Sequence, residues 1–339
     1  MKKLFIIYSL FILFFFYGIV LRGKISQYAG IRGANFLKVG TSPRAEGMGT
    51  SFVSLLGGVN SISYNPAGVN NIDTMYFLFS SLDWIDNVTI THFAYAQPYK
   101  KWNGNLFGSF SFLYVTPIIH YDSWGEGIDK MDFYNFALTG GYATIYKNYY
   151  IGGSLKLLYQ KIYTENNFGL GLDLGGIYKV KPFRYKLANK YWINPDDLKV
   201  GFVIRNLGTK AGADYLPLEI DFGSSLTLID NLLFSLTIVK PLYTWASFVD
   251  LDYKLNFGFE YNFLNIIFIR TGLKLFYDVP NNFSFGIGIE KKFFSGKLIF
   301  DYSYAAYTYL EKTNRFALIL KLYKWKFWKN EKKKKYKKN

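Results

Sequence analysis

Alternation of apolar and polar residues with a period of two is the feature that most constrains this chain. In residues 251–261 one face carries Leu, Tyr, Leu, Phe, Phe and Tyr, while the other carries Asp, Lys, Asn, Gly and Glu. Residues 283–290 set Phe, Phe, Ile and Ile against Ser, Gly, Gly and Glu. Because successive side chains of a strand point to opposite faces, the pattern predicts β-strands.

The apolar faces are too numerous and too aromatic to be covered in a soluble β-sandwich. Aromatic residues make up 21% of the 339 residues. A transmembrane barrel accommodates such strands, because each turns its apolar face to lipid and its polar face to the lumen. We therefore predict an all-β protein, a transmembrane antiparallel β-barrel.

About fourteen such runs lie between residues 74 and 322, and most have close to the ~9–11 residues that a tilted strand needs to cross a bilayer. An open edge in lipid would leave backbone groups unsatisfied. We therefore predict that the first run, residues 74–83, pairs with the last, residues 315–322. An even count places both mature termini on one side, the periplasmic side in an outer-membrane barrel.

The N-terminus has the composition of a secretory signal. Lys2 and Lys3 precede an apolar run over residues 4–21, as in the charged and apolar regions of signal peptides. We predict a signal peptide over residues 1–26. An uncleaved membrane anchor is the alternative, because the run approaches the ~18 residues that suggest a spanning helix.

Residues 30–72 are too irregular for a long helix or strand. Glycines and prolines interrupt them at short intervals, namely Gly40, Pro43, Gly47, Gly49, Gly57, Gly58 and Pro66. Such a segment folds only where its surroundings fix it. We predict that residues 30–72 form a plug inside a barrel made by residues 73–322.

The runs FLKVGTSPRAEGMG and SYNPAGV in this segment resemble the N-terminal signature of the PorV/PorQ family of outer-membrane proteins. That family is related to the FadL-type barrels, which carry a similar Asn-Pro-Ala motif in their hatch. Later runs such as GLGLDLGGIY and VIRNLGTK continue the resemblance, which covers residues 30–322. It implies a fourteen-stranded plugged barrel in the outer membrane of a diderm bacterium, with outer-membrane lipid as its surroundings.

The plug motif consists of Asn65, Pro66, Ala67 and Gly68. We expect it inside the barrel near the wall, beside Gly169 and Gly171, because glycine permits close approach of another backbone. A surface turn would suit Asn-Pro equally well, but it would expose the flanking Ile62, Tyr64 and Val69.

Two functions follow from the resemblance. Members of the PorV type are associated with secretion and surface attachment of exported proteins, so exported proteins or secretion machinery are the expected partners. The alternative is a FadL-type channel for hydrophobic small molecules. The first predicts a protein-binding surface on the outer loops, whereas the second predicts an apolar pocket between plug and wall.

Charged residues of both signs occupy the predicted lumen-facing positions. They are Lys156, Asp173, Arg205, Glu219, Asp221, Asp252, Lys254, Glu260, Arg270, Lys274, Glu290 and Asp301. Because the signs are balanced, we expect these residues to pair with one another and with the backbone of the plug. A selective polar conduit is the alternative.

We expect neither an enzyme nor a cofactor-binding protein. The chain has no cysteine, and only His92 and His120 offer bases that titrate near neutral pH. No zinc motif or nucleotide-binding fingerprint is present.

The formal charge of +16 does not indicate a nucleic-acid partner. The first 24 residues contribute +4 and residues 321–339 contribute +9, which leaves +3 for the body. The basic, aromatic tail, residues 323–339, is predicted to lie at the membrane interface or to be solvated.

Overall fold

The computed structural model describes residues 32–84, 87–121, 123–181, 197–229, 231–242, 253–277, 282–307 and 312–323. The predicted signal peptide and all of the basic tail after Tyr323 lie outside these residues, so both stay predictions. No helix in the described ranges is long and apolar enough to span a membrane.

Sixteen strands follow one another along the described chain. They are β1 Met75–Asp83, β2 Val88–Tyr99, β3 Gly104–Tyr121, β4 Gly127–Tyr146, β5 Tyr149–Ile162, β6 Glu165–Lys179, β7 Lys199–Gly208, β8 Lys210–Ala211, β9 Asp214–Tyr215, β10 Glu219–Ile229, β11 Leu232–Pro241, β12 Lys254–Phe263, β13 Ile267–Leu275, β14 Asn282–Phe293, β15 Gly296–Ala306 and β16 Thr313–Leu322.

Fourteen of these strands form a closed antiparallel barrel, which confirms the predicted fold class. The barrel closes where β1 pairs with β16, from Met75 opposite Leu322 to Asp83 opposite Asn314. The predicted closure is therefore confirmed. The remaining two strands, β8 and β9, form a short inner hairpin over residues 210–215, so that β7 pairs with β10.

Alternate residues of the strands face the lumen and the outside. On β12, Lys254, Asn256 and Glu260 are buried, whereas Phe257 is half-buried on the opposite face. Aromatic side chains pair across neighbouring strands on the outer surface, as in Phe79 with Phe93 at 4.9 Å between ring centroids. The outer surface is thus apolar and aromatic, as a lipid-facing surface must be.

We call the end of the barrel where β1 begins and β16 ends rim A, and the opposite end rim B. Because Pro117 follows the alternating run of residues 105–116, the sequence predicts a longer loop over residues 117–132 at rim B, and this prediction is wrong. Strand β3 continues to Tyr121 and β4 starts at Gly127, with a register shift between Val115 and Ile118. Pro117 has no N–H to donate, so the ladder passes it through a bulge instead of ending there.

The segment before β1 runs through the lumen from rim B to rim A. Arg32 donates from Nη2 to the carbonyl oxygen of Leu242 at rim B, at 2.5 Å. At rim A, the Thr74 hydroxyl donates to the carbonyl oxygen of Leu322. Four short helices lie between these points, at Asn35–Lys38, Pro43–Gly47, Gly58–Ser61 and Pro66–Asn71.

The first described residues therefore lie at rim B and the last at rim A. The predicted common side for both mature termini concerns residues outside the described ranges and stays a prediction. We call residues 32–72 the plug from here on.

The outward face of β12 offers a test of depth in the membrane. Phe257→Arg should reduce folding stability by roughly 2–4 kcal/mol, because its side chain faces lipid near the middle of the strand, and Tyr261→Arg, on the same face near rim A, by about 0–1 kcal/mol. Urea unfolding in lipid vesicles measures both. Equal losses for the two variants would contradict the assigned depth of β12.

Candidate functional site

The plug backbone lies directly against lumen-facing glycines of the wall. A Cβ atom at Gly272 would lie 1.9 Å from the Gly49 nitrogen, and one at Gly258 would lie 2.5 Å from the Met48 carbonyl oxygen. Similarly close approaches of 3.1 Å or less occur at five further wall positions, which are Gly152, Gly175, Gly201, Gly223 and Gly286. Because any larger residue would collide with the plug, these glycines provide the surface on which it packs.

The side chain of Asn65 joins the plug to itself and to the wall. Its Oδ1 accepts a hydrogen bond from the Ala67 backbone at 3.0 Å, and its Nδ2 donates to the Val53 carbonyl at 2.7 Å. The same Nδ2 lies 3.3 Å from the carbonyl oxygen of Phe202 on β7. Asn65 and Ala67 are completely buried, so the motif of residues 65–68 lies inside the barrel in this structure.

The glycines that contact this motif differ from the predicted ones. A Cβ atom at Gly175 would lie 2.0 Å from Asn65 Oδ1, and one at Gly152 would lie 2.5 Å from the Pro66 carbonyl carbon. Gly169 and Gly171 instead lie nearer rim B, where they face the inner hairpin and Leu216. The prediction of Gly169 and Gly171 is wrong, because the inner hairpin, which the sequence did not reveal, occupies that part of the lumen.

Polar side chains of the wall satisfy peptide groups of the plug. The Ser80 hydroxyl donates to the Thr41 carbonyl at 2.6 Å, and the Gly49 N–H donates to Ser284 Oγ at 3.2 Å. Asn256 Nδ2 donates to Thr50 Oγ1 at 3.0 Å. These contacts are necessary because an irregular buried segment cannot satisfy all of its own backbone groups.

Two ion-pair groups link the plug helix Pro43–Gly47 to the wall. Arg44 binds Glu260 with both arms of its guanidinium, at 2.8 and 2.7 Å. Glu46 accepts from Lys274 Nζ at 2.6 Å and lies 3.3 Å from Arg315 Nη1. Burial alone would raise the pKa of the Glu46 carboxyl, but these two cations outweigh burial and hold that pKa below its usual range.

Further ion pairs lie within the wall. Arg270 bridges Glu260 and Asp301, with 2.6 Å to each. Arg205 contacts Asp221 and Glu219 at 2.7 and 2.8 Å. Lys156 contacts Asp173 at 2.7 Å.

One of the predicted lumen-facing residues lies apart from the plug, and another is not described. Glu290 pairs with Lys297 near rim A, at 2.5 Å, and Asp252 lies outside the described residues. The structure thus brings most of the predicted charged residues into pairs, beside or against the plug.

A polar cavity of about 70 Å³ remains between the plug and the wall. Its lining includes Tyr64 of the plug and Arg205, Asp221 and Asn256 of the wall. The lumen at Asn256 is therefore nearly filled, and this position offers little room for a larger side chain. In the described part of the chain, no group of three His, Asp or Glu residues could hold a metal ion.

An apolar cluster fills the lumen nearer rim B. Phe36 of the plug packs there with wall residues from five adjacent strands, which are Leu82, Ile90, Leu113, Ala137 and Leu158, and with Ala211 and Leu216. Sequence reasoning missed this cluster because it treated lumen-facing positions as polar. The signal was available on β2, where Ile90 shares a face with His92 and Ala94.

The wall is interrupted beside this apolar cluster. The β6–β7 ladder ends where Gly171 pairs with Gly208, and the Thr209 N–H then donates to the Leu170 carbonyl at 2.9 Å. A surface cavity of about 470 Å³ lies here. It is lined by residues of β4, β5 and β6, among them Leu158, Phe168 and Leu170, and by Thr209.

Solved structures with the same fold include two toluene transporters and a FadL homologue. The toluene transporter TodX of Pseudomonas putida aligns with a TM-score of 0.57 at 9% identity, over 83% of this chain and 97% of its own. The toluene transporter TbuX of Ralstonia pickettii aligns at 0.52 and 12%, over 84% and 99%. A FadL homologue of Pseudomonas aeruginosa aligns at 0.53 and 10%, over 83% and 98%.

At these identities the likeness shows the fold alone. The chain therefore has the plugged, fourteen-stranded fold of FadL-type barrels. No protein-family model matches the sequence, and no curated protein matches it.

The packing of the plug against the wall glycines can be tested by adding one methyl group. Gly272→Ala should destabilise the plugged barrel strongly, because its Cβ would overlap the Gly49 nitrogen and only backbone movement could relieve the overlap. Gly140→Ala is the matched control, since nothing lies within 4 Å of its added Cβ. Thermal unfolding of the purified proteins measures both. A control that loses as much stability as Gly272→Ala would refute the explanation.

The Glu46 ion pairs should make attachment of the plug dependent on pH. Glu46→Gln should weaken attachment by about 3–5 kcal/mol, because it leaves Lys274 and Arg315 buried without their carboxylate. Since the folded-state pKa of Glu46 is lowered, its contribution is present above the ordinary carboxyl pKa of about 4.3 and is lost as pH falls below it. Protease sensitivity of the plug should therefore rise in acid for the wild type, and rise less for Glu46→Gln. An identical acid response in the two proteins would contradict this role of Glu46.

Proposed function

We propose that this protein is an integral outer-membrane barrel, without enzymatic activity, that admits hydrophobic small molecules through its lumen. The observation that carries the proposal is the apolar cluster near rim B. Five adjacent strands turn apolar side chains inward there, at Leu82, Ile90, Leu113, Ala137 and Leu158. Barrels that conduct water and polar solutes have polar interiors, so an inward apolar surface favours apolar cargo.

The known barrels of this fold support the same class of cargo. Two of them are named as toluene transporters, and toluene offers no hydrogen-bonding group. Transfer of such a molecule from water to an apolar surface is favourable, by roughly 25 cal/mol for each Å² of apolar surface that is buried. The apolar cluster would provide this surface.

Entry of a molecule requires the start of the plug to move. Phe36 occupies the apolar cluster and is only 8% exposed, and Leu37 and Val39 pack beside it. We propose that residues 32–39 shift and that the cargo replaces Phe36. The interruption between β6 and β7 adjoins the same cluster, and it would let an apolar molecule pass from the lumen into lipid.

A second candidate function is the surface attachment or secretion of exported proteins, which the PorV/PorQ resemblance implies. One observation favours it. Residues 116–121 of β3 and 127–132 of β4 extend beyond their outer neighbours, since β2 starts opposite Val115 and β5 ends opposite Phe133. This projecting ribbon exposes Trp124 by 89% and Ile119 by 51%. A protein partner could bind such a surface.

Uptake of radiolabelled toluene by cells that carry the barrel tests the first function. Leu113→Asn should slow uptake about tenfold, because it places an amide in the apolar cluster and removes an apolar contact worth roughly 1.5–3 kcal/mol. Ser109→Asn on the same face of β3 is the control, since Ser109 lies outside that cluster. Normal uptake by a folded Leu113→Asn barrel would overturn the proposal.

Shortening the projecting ribbon separates the two functions. Replacing residues 118–129 with a two-residue turn should leave toluene uptake unchanged, because the apolar cluster lies within the barrel. Loss of surface-exposed exported proteins in the same cells, measured by protease shaving, would support the second function. An unchanged cell surface would remove that candidate.

A further inference from the structure

The two rims of the barrel differ in charge. Among the described residues at rim A, ten lysines accompany three carboxylates, and the lysines are Lys100, Lys101, Lys147, Lys179, Lys181, Lys199, Lys291, Lys292, Lys297 and Lys321. At rim B the outward and loop positions are mixed and slightly acidic. They include Asp83, Glu126, Glu165 and Asp214 with Lys161, Lys210 and Lys312. Rim A is therefore the basic end of the barrel.

The carboxylates described at rim A already have lysine partners. Asp73 pairs with Lys321 at 2.8 Å, Glu290 pairs with Lys297 at 2.5 Å, and Asp197 pairs with Lys199. Within the described ranges, no carboxylate pairs with the remaining exposed lysines Lys100, Lys101, Lys147, Lys181, Lys291 and Lys292. These six lysines give rim A a positive charge that the wall itself does not neutralise.

Large apolar side chains are exposed beside the same lysines. Trp102 follows Lys100 and Lys101 in one turn and is 58% exposed, and it packs against Tyr99 with 5.0 Å between ring centroids. Lys291 and Lys292 lie near the end of β14, and Phe294 in the turn after that strand is fully exposed. Aromatic rings next to lysines are stable at the edge of a bilayer, where the rings lie among headgroups and the ammonium groups reach phosphates.

We propose that rim A binds the headgroups of anionic phospholipids through two clusters, residues 100–102 and residues 291–294. Each cluster places two lysines and one exposed ring at the rim A end of two neighbouring barrel strands. The rings enter the interfacial layer and set the depth of the barrel, while the lysines bind phosphate. The inference rests on the proposed membrane location but not on the nature of the transported molecule.

The chain continues from the second cluster with more positive charge. The Tyr323 N–H donates to the Ser295 carbonyl at 2.9 Å, so β16 leaves the barrel beside residues 291–294. The sequence beyond Tyr323 contains nine lysines and one glutamate, Glu331. The sequence thus adds positive charge after the residue at which the chain leaves the wall, and each lysine near an anionic leaflet adds attraction.

Lipid binding can be measured on the full-length protein in nanodiscs. After partial delipidation, native mass spectrometry counts the phosphatidylglycerol and phosphatidylcholine molecules that remain bound to the barrel. The ratio of the two counts gives the lipid preference. The wild type should retain phosphatidylglycerol at least about tenfold over phosphatidylcholine, and about 0.5 M salt should reduce this preference by screening. Equal retention of the two lipids would overturn the proposal.

Matched variants locate the binding surface. Replacing Lys100, Lys101, Lys291 and Lys292 together with Gln should lower the preference at least about tenfold, since each lysine contributes a factor of about five. The same change at Lys130, Lys161, Lys210 and Lys312 of rim B should leave it unchanged. Similar losses for both rims would show a non-specific charge effect and refute the assignment.

Two further measurements exclude other sources of the signal. A chain that ends at Tyr323 should keep a preference for phosphatidylglycerol, because the two clusters remain. Loss of the whole preference in that shortened chain would overturn the proposal for the clusters. Free inorganic phosphate should not displace the lipid, and displacement at millimolar phosphate would identify a phosphate site instead. Toluene uptake is independent of these results, so its failure would leave the lipid inference standing.

Discussion

Satisfying the backbone of an irregular segment inside a closed wall is the constraint on which this structure depends. The strands of a closed barrel satisfy one another, but the plug is broken by glycine and proline and cannot. The wall supplies the missing partners through side chains such as Ser80 and Ser284. It also supplies space, because glycines on seven strands let the plug backbone reach these partners. Removing either the hydroxyls or the space would leave buried peptide groups unpaired.

The charged residues of the lumen serve the same constraint. Arg44 and Glu46 lie on one short helix of the plug, yet they pair with opposite charges on three different wall strands. A buried pair gives little net stability, since desolvation opposes the Coulomb attraction. Breaking such a pair is costly, however, because one charge then remains buried alone. The pairs therefore specify one position of the helix against the wall more than they stabilise the barrel as a whole.

The barrel could be predicted from the sequence because its strands share the same two-residue alternation of apolar and polar side chains. The alternation on β12 places Asn256 inward and Phe257 outward, and each position follows from its neighbours alone. The plug–wall contacts were not predictable in this way. Which glycine meets Asn65 depends on how far the plug descends, and the inner hairpin of residues 210–215 determines that by occupying the lumen at Gly169 and Gly171. The predicted end of β3 before Pro117 was wrong for a local reason, because a β-bulge tolerates a proline that a regular strand ladder does not.

The lumen is layered, and the layers divide the plug into two parts that resist movement differently. Residues 43–71 are held by ion pairs, by the hydrogen bonds of Asn65 and by close packing against the wall glycines. Displacing them would leave buried charges without partners. Residues 32–39 are held by the apolar contacts of Phe36, Leu37 and Val39 with the wall and by hydrogen bonds that include those of Arg32 to Leu242 and of Gly33 to Tyr215. An apolar molecule that replaces Phe36 would restore the apolar contacts, whereas the hydrogen bonds would have to be kept or remade. Under the proposed function, the cargo would replace the apolar contacts that residues 32–39 give up, while the ion pairs of residues 43–71 would stay in place.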